Sequence, residues 1–119
     1  MADFGFSKNS RLLNATDYKI VFDNAQFKVS CHQFLVLAIS NRQSQSRLGV
    51  VIAKKHVSGA VQRNRIKRLI RESFRQVAAG MAGLDLVVLA RKDADKLDNR
   101  ALTKKLNGLW KDLSCKHLG

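Results

Sequence analysis

The 119-residue chain has no proline, two cysteines, one tryptophan, one tyrosine and only nine acidic residues. Each scarcity removes a class of protein. Without proline there is no segment for polyproline recognition. Cys31 and Cys115 lie far apart and outside any CxxC spacing. They form neither a disulfide framework nor a thiolate zinc site, and free thiols are expected. The longest apolar runs, Phe34 to Ile39 and Leu84 to Ala90, fall far short of the roughly 20 residues that cross a bilayer. The start, Met1-Ala2-Asp3-Phe4, has neither a basic n-region nor an apolar h-region, so the expected compartment is the cytoplasm. Repeats and low-complexity tracts are missing too, and the length predicts one domain over residues 1–119.

What the chain does have is positive charge. Lys and Arg total 22, for a formal charge of +13, and 45% of residues are hydrophobic, enough for a core. The charge is unevenly placed. Met1 to Ile52 carries six bases and three acids, and Gln76 to Gly119 carries eight and five. Lys54 to Arg75 carries eight bases and one acid, Glu72, so seven of the thirteen net charges lie in 22 residues. A concentrated block implies a polyanionic partner. The block has a single aromatic, Phe74, and lacks the apolar wedge of a membrane-surface helix. Nucleic acid is therefore the expected partner.

Hydrophobic periodicity gives the order αβββαβα. Residues 1–13 read as an extended arm. Asn14, with Asp17 three residues on, reads as the cap of a helix over about 15 to 25 in which Tyr18, Val21, Phe22 and Ala25 recur at helical spacing. Phe27 to Cys31, Phe34 to Ser40 and Leu48 to Ala53 read as strands of an antiparallel meander, the last two separated by the polar stretch Asn41 to Ser46. Ser58-Gly59 precedes a long helix over about 60 to 78, which the Gly80 to Gly83 segment ends. Leu84 to Ala90 reads as a buried strand, and Asp98 as the cap of a last helix with the stripe Leu102, Leu106, Leu109, Trp110 and Leu113. Phe27, Phe34 and Trp110 are assigned to the core.

On a 3.6-residue wheel the long helix has two faces. Ile66, Leu69, Ile70, Phe74 and Val77 make a core stripe, and Asn64, Arg68, Arg71 and Arg75 lie opposite, flanked by Arg63 and Lys67 on one edge and Arg65 on the other. Arginine's planar fork grips phosphate in a bidentate way that lysine does not. A solvated face held by i,i+4 ion pairs would need interleaved acids, and only Glu72 is available.

The string KKHVSGAVQRNRIKRLIRESFR, Lys54 to Arg75, resembles the signature of the bacterial ribonuclease P protein family, whose RNR element is Arg63-Asn64-Arg65 here. Arg11-Leu12, the Asp17-Tyr18-x-x-x-Phe22 helix, Gly49-Val50-Val51 and Leu86 to Arg91 match the family pattern across nearly the whole chain. Ala53 stands where many members have Ser, so no hydroxyl contact to RNA is carried over there. The resemblance implies an α+β fold, αβββαβα, with helices packed on a four-stranded sheet and a left-handed βαβ crossover through the basic helix. It implies an accessory subunit, inactive alone, of a ribonucleoprotein endonuclease that removes the 5′ leader of precursor tRNA. The RNA subunit would be catalytic, and magnesium would be held mainly by RNA. Lys54, Lys55, Arg63, Asn64, Arg65, Lys67, Arg68, Arg71 and Arg75 would belong to the RNA-subunit surface, and Arg11, Tyr18 and Phe22 to the leader site. The implied partners are ribonuclease P RNA and precursor tRNA, with no membrane and no required protein partner.

Tyr18 and Phe22, one turn apart, offer stacking platforms to single-stranded bases, or form a core stripe with Val21 and Ala25. Chemistry by the protein itself is not expected. The one acid cluster, Asp93, Asp95 and Asp98, reads as loop and cap, and His32, His56 and His117 lack metal-ligand spacing. His56 reads as a surface-turn residue. The main alternative is a non-catalytic binder of structured RNA, such as a ribosomal or assembly protein. A helix-turn-helix DNA reader is weaker, because the basic helix follows a strand rather than a partner helix.

Overall fold

A computed structural model describes residues 15–41, 45–81 and 83–118. Arg11, the arm over residues 1–13 and the Asn14 cap lie outside the described residues. The elements are α1 (Ala15–Asn24), β1 (Phe27–Ser30), β2 (Phe34–Ser40), β3 (Arg47–Ile52), α2 (Ala60–Val77), β4 (Leu84–Ala90) and α3 (Asn99–Leu118), with single 3₁₀ turns at Ala78–Met81 and Ala94–Lys96. The order is the αβββαβα expected from periodicity. Where a glycine is required, the chain supplies one: Gly83, in the turn that leads into β4, has φ 85°.

The meander does not form. The sheet order is β1-β2-β4-β3. Only β1 and β2 make a hairpin; β4 runs antiparallel to β2 on one side and parallel to β3 on the other. The polar stretch before β3 resembles a hairpin turn, but burial decides the placement. β4 is the most continuously buried strand, with six of its seven residues buried, Asp85 among them. A strand of that kind belongs in the interior of a sheet with both faces covered, where it displaces β3 to the edge. The parallel β3–β4 pair then requires a crossover, and α2 supplies it.

Strand alternation divides the sheet into two unlike faces. Phe34, Val36 and Ala38 of β2 and Leu84, Leu86, Val88 and Ala90 of β4 point toward α2 and α3, where they join Ile66, Ile70, Phe74, Leu102, Leu106, Leu109, Trp110 and Leu113 in one core. Trp110 and Phe74 meet edge to face at 5.4 Å. The indole Nε1 donates to Ser73 Oγ at 2.6 Å, and Ser73 donates to Asn107 Oδ1 at 3.2 Å. These bonds satisfy the polar groups that packing takes out of water. Among the described residues the opposite face carries α1 alone. There Val21 and Val87 are the fully buried pair, with Tyr18, Leu37, Ile39, Val51 and Leu89 half-buried around them. Ala25, expected in the α1 stripe, falls just past the helix and is exposed.

Candidate nucleic-acid interface

The basic helix starts without a side-chain cap. Gly59 is the N-cap residue in extended conformation and offers no side chain. Arg63 compensates from inside the helix: its Nη1 donates to the carbonyls of Val57 at 3.0 Å and Ser58 at 2.7 Å. This fixes the connector that follows the Lys54–Lys55 turn. Both of those lysines are exposed, and His56 sits in the same turn, its N–H bonded to Ala53 O at 3.0 Å. Arg65 turns the other way. Its Nε donates to Gln62 Oε1 at 2.8 Å, Nη1 to Asn99 Oδ1 at 2.7 Å, and Nη2 to Leu97 O at 3.1 Å. The two arginines of the RNR element thus brace the helix at its root. Asn64 between them is exposed.

Farther along, Arg68 and Arg71 are exposed and Lys67 is half-buried, and none of the three has a hydrogen bond or ion pair among the described residues. Arg75 pairs with Glu72 through Nη2–Oε1 and through Nε at 3.2 Å to Oε2. The Arg75 guanidinium holds the Glu72 carboxyl below the usual carboxylate range. At this exposure the pair contributes little to stability. Ile66, Ile70 and Phe74 are fully buried on the other side, so anchoring and presentation fall on opposite faces as the wheel predicts.

The leader-site candidates lie across the sheet. Tyr18 and Phe22 of α1 line a groove of about 520 Å³ with Lys19, Asp23 and Val51. The two rings differ. Phe22 is 42% exposed and is no core residue. Tyr18 is half-buried and lies directly on the backbone of Gly49: a Cβ at that position would sit 2.5 Å from the tyrosine Cε1 and 2.9 Å from its hydroxyl oxygen. Gly49 is therefore the seat of the ring. The motif Gly49-Val50-Val51 was matched as part of a family pattern, but its spatial relation to Tyr18 has no signature in a linear string.

A second feature escaped the sequence reading altogether. Asp85 interrupts the apolar β4 run and is 5% exposed. Arg47, its cross-strand partner in the β3–β4 register, grips it in bidentate fashion, Nε to Oδ1 at 2.9 Å and Nη2 to Oδ2 at 2.6 Å. Asn41 Nδ2 donates to the same carboxylate at 2.8 Å. Arg47 Nη1 also approaches Asp17 of α1 at 4.0 Å. The Asp85 carboxylate raises the Arg47 pKa further above its already high value. One acid inside an apolar strand was the available signal.

The remaining candidates have local roles. Asp93 takes the left-handed conformation at φ 73°, accepts from His32 Nε2 at 2.9 Å and pairs with Lys96 at 3.1 Å. Asp98 Oδ1 accepts from Ala101 N at 2.8 Å, the predicted cap of α3. Cys31 and Cys115 are free thiols. Among the described residues no group of three or more His, Cys, Asp or Glu side chains converges, and no helix is long and apolar enough to cross a membrane.

A four-stranded mixed sheet with two helices sealing one face, one of them presenting guanidinium groups that have no partner among the described residues, defines a small α+β protein built to meet a polyanion. Comparison with known proteins gives the family. The ribonuclease P family model matches residues 6–114. The ribonuclease P protein component of Chromohalobacter salexigens is 48% identical over 113 residues, 95% of this chain and 88% of that one. Its Pseudomonas aeruginosa counterpart is 47% identical over 95% of this chain and 84% of its own. Among solved structures, the RNase P protein of Staphylococcus aureus superposes with a TM-score of 0.80 at 29% identity, covering 86% of this chain and 93% of that one. That of Thermotoga maritima gives 0.73 at 32%, covering 85% and 96%. The chain belongs to the ribonuclease P protein family, and so is the protein part of an endonuclease holoenzyme that works with an RNA.

Proposed function

We propose that the chain binds the catalytic RNA of ribonuclease P through the outer face of α2 and holds the 5′ leader of precursor tRNA against α1, assisting removal of that leader. The observation that carries the first half is the stripe of Arg68, Arg71 and Lys67, which has no acceptor among the described residues. Like charges at helical spacing repel by a few tenths of a kcal/mol per pair, a cost that phosphate removes. Lys54, Lys55 and Asn64 extend the same surface, while Arg63 and Arg65 hold the helix root in the position from which the stripe is offered. Arg75, tied to Glu72 in the free protein, exchanges that partner for phosphate on binding.

The second half rests on the α1 groove. Bases of a single strand expose π-faces, and stacking on an aromatic is worth roughly 1 to 3 kcal/mol without demanding a sequence. Phe22 offers the open ring and Tyr18 the seated one. Arg11 belongs to this reading by family resemblance. Magnesium is assigned to the holoenzyme and to RNA ligands. The described side chains offer no cluster to hold it, and no step is assigned to a protein-bound ion. The protein works in the cytoplasm, where transcripts are made, and needs no further protein partner.

The test is reconstitution. The chain is mixed with a bacterial ribonuclease P RNA and precursor tRNA, and cleavage at the mature 5′ end is followed as magnesium is lowered. The protein is expected to reduce the magnesium requirement and to be inactive alone. A folded protein that leaves the requirement unchanged overturns the reading.

A further inference from the structure

Outside Lys54 to Arg75, the net charge is not evenly spread. Asn99–Leu118 of α3 contains Arg100, Lys104, Lys105, Lys111 and Lys116 against one acid, Asp112. Arg100, Lys104, Asn107 and Lys111 recur at i, i+4, i+7 and i+11, the spacing of Asn64, Arg68, Arg71 and Arg75 on α2, with three cations and one Asn in each set. All four α3 residues are exposed. Arg100, Lys104 and Lys111 make no hydrogen bond or ion pair among the described residues.

The two helices are parallel and nearly level. Arg65 reaches Asn99 and Ser73 reaches Asn107, each pair 34 residues apart in sequence. Corresponding stripe positions are 36 apart, so the stripes are offset along the axes by about 3 Å. Each stripe lies opposite the residues its helix buries against the same sheet face. Both stripes therefore look outward on one side of the molecule. A shallow hollow lined by Asn64, Arg65, Arg68, Leu69 and Asn99 lies between the two helices at the start of α3, and a second, lined by Asn99, Arg100, Thr103, Lys104 and Asn107, lies along α3 itself.

We propose that Arg100, Lys104 and Lys111 form a second phosphate-binding ridge, and that the two ridges together grip the backbone of the RNA subunit. Two observations select the RNA subunit over precursor tRNA. The α3 ridge is continuous with the α2 stripe, and the groove carrying Tyr18 and Phe22 lies on the opposite face of the sheet. The inference rests on the assignment of α2 to the RNA subunit made above. It changes the role of Arg65 as well: by joining α2 to the start of α3, Arg65 sets the spacing of the ridges.

The experiment measures binding of ribonuclease P RNA to the full chain across a salt series, for the triple variant Arg100→Ala, Lys104→Ala, Lys111→Ala and separately for Arg68→Ala, Arg71→Ala. Melting curves confirm that both variants are folded. The α3 variant is expected to lose at least tenfold in affinity and to flatten the slope of log K against log salt by about 2. Affinity of the assembled holoenzyme for precursor tRNA is expected to stay unchanged. An α3 variant with wild-type affinity and slope, beside a weakened α2 variant, overturns the ridge alone. Wild-type behaviour of both overturns the α2 assignment on which the ridge rests. A loss confined to precursor tRNA binding also overturns the proposal, because it moves the ridge to the substrate.

Discussion

The two faces of the sheet are covered very differently. The face under α2 and α3 is sealed by two long helices, with Trp110, Phe74 and Phe34 fully buried and the Trp110 indole N–H and Ser73 hydroxyl both hydrogen-bonded. The face under α1 is covered by one ten-residue helix that buries a single side chain completely, Val21, and leaves Phe22 and Ile20 nearly half exposed. The sealed face turns its charges outward from a rigid backing. The open face keeps aromatic and aliphatic surface exposed at Phe22 and Ile20, the surface proposed above for the single-stranded leader. Rigidity and adaptability are thus separated by one layer of strands.

Removing a buried anchor from each face gives the largest expected effect and the sharpest contrast. Trp110→Ala leaves a cavity between α2 and α3 and deprives Ser73 of its donor, and is expected to destabilise the whole fold by about 3 to 5 kcal/mol. Val21→Ala removes two methyl groups from a thin cluster and is expected to lose about 2 kcal/mol. That loss should be felt mainly as opening of α1. Hydrogen exchange distinguishes them: the first variant should raise exchange everywhere, the second chiefly in α1. Equal global exchange in both would show that the faces form one cooperative unit.

Gly49→Ala probes the open face with a smaller expected effect. In an ordinary strand the added methyl stabilises by restricting the unfolded chain. Here it collides with the Tyr18 ring, so the ring must leave its seat. Affinity for precursor tRNA carrying a leader is expected to fall by roughly 1 kcal/mol, within the range of one lost stacking contact. Affinity for mature tRNA should be unaltered. In a Tyr18→Leu background the same substitution is expected to cost less, and the double-mutant cycle measures the coupling. Additive effects would show that Gly49 does not act through Tyr18.

The sequence makes the elements legible because their signals are local. Helical spacing marks the core stripe of α2, the Asp98 cap marks the start of α3, and the nearly continuous apolar run Leu84 to Ala90 marks a buried strand. Strand order is not local. Asn41 to Ser46 suggested a hairpin to β3, and only the demand of β4 for cover on both faces explains its insertion between β2 and β3. The same limit applies to the site. The charge block identified the helix, but whether each arginine faces solvent or its own fold depends on the carbonyls of Val57, Ser58 and Leu97, which come near only in three dimensions. The lone acid Asp85 in an apolar strand signals a buried partner, but that the partner is Arg47 follows only from the β3–β4 register, which the crossover sets.

The smallest expected effect concerns the loops that join the faces at one end. Asp93 holds His32 of the β1–β2 loop and Lys96 of the segment leading to α3. The hydrogen bond from His32, then that from Lys96, lowers the Asp93 pKa below its ordinary value. A carboxylate whose folded pKa is depressed contributes stability above its unfolded pKa and loses it as pH falls through the folded one. Asp93→Asn tests this while keeping a residue that tolerates the left-handed conformation at φ 73°. The variant is expected to melt slightly below the parent at neutral pH, with the gap closing as the solution is acidified below the carboxylate range. The pair is exposed, so added salt should shrink the gap as well. A gap that persists at low pH would mean that the backbone turn, and not the charge, is what Asp93 supplies to the junction.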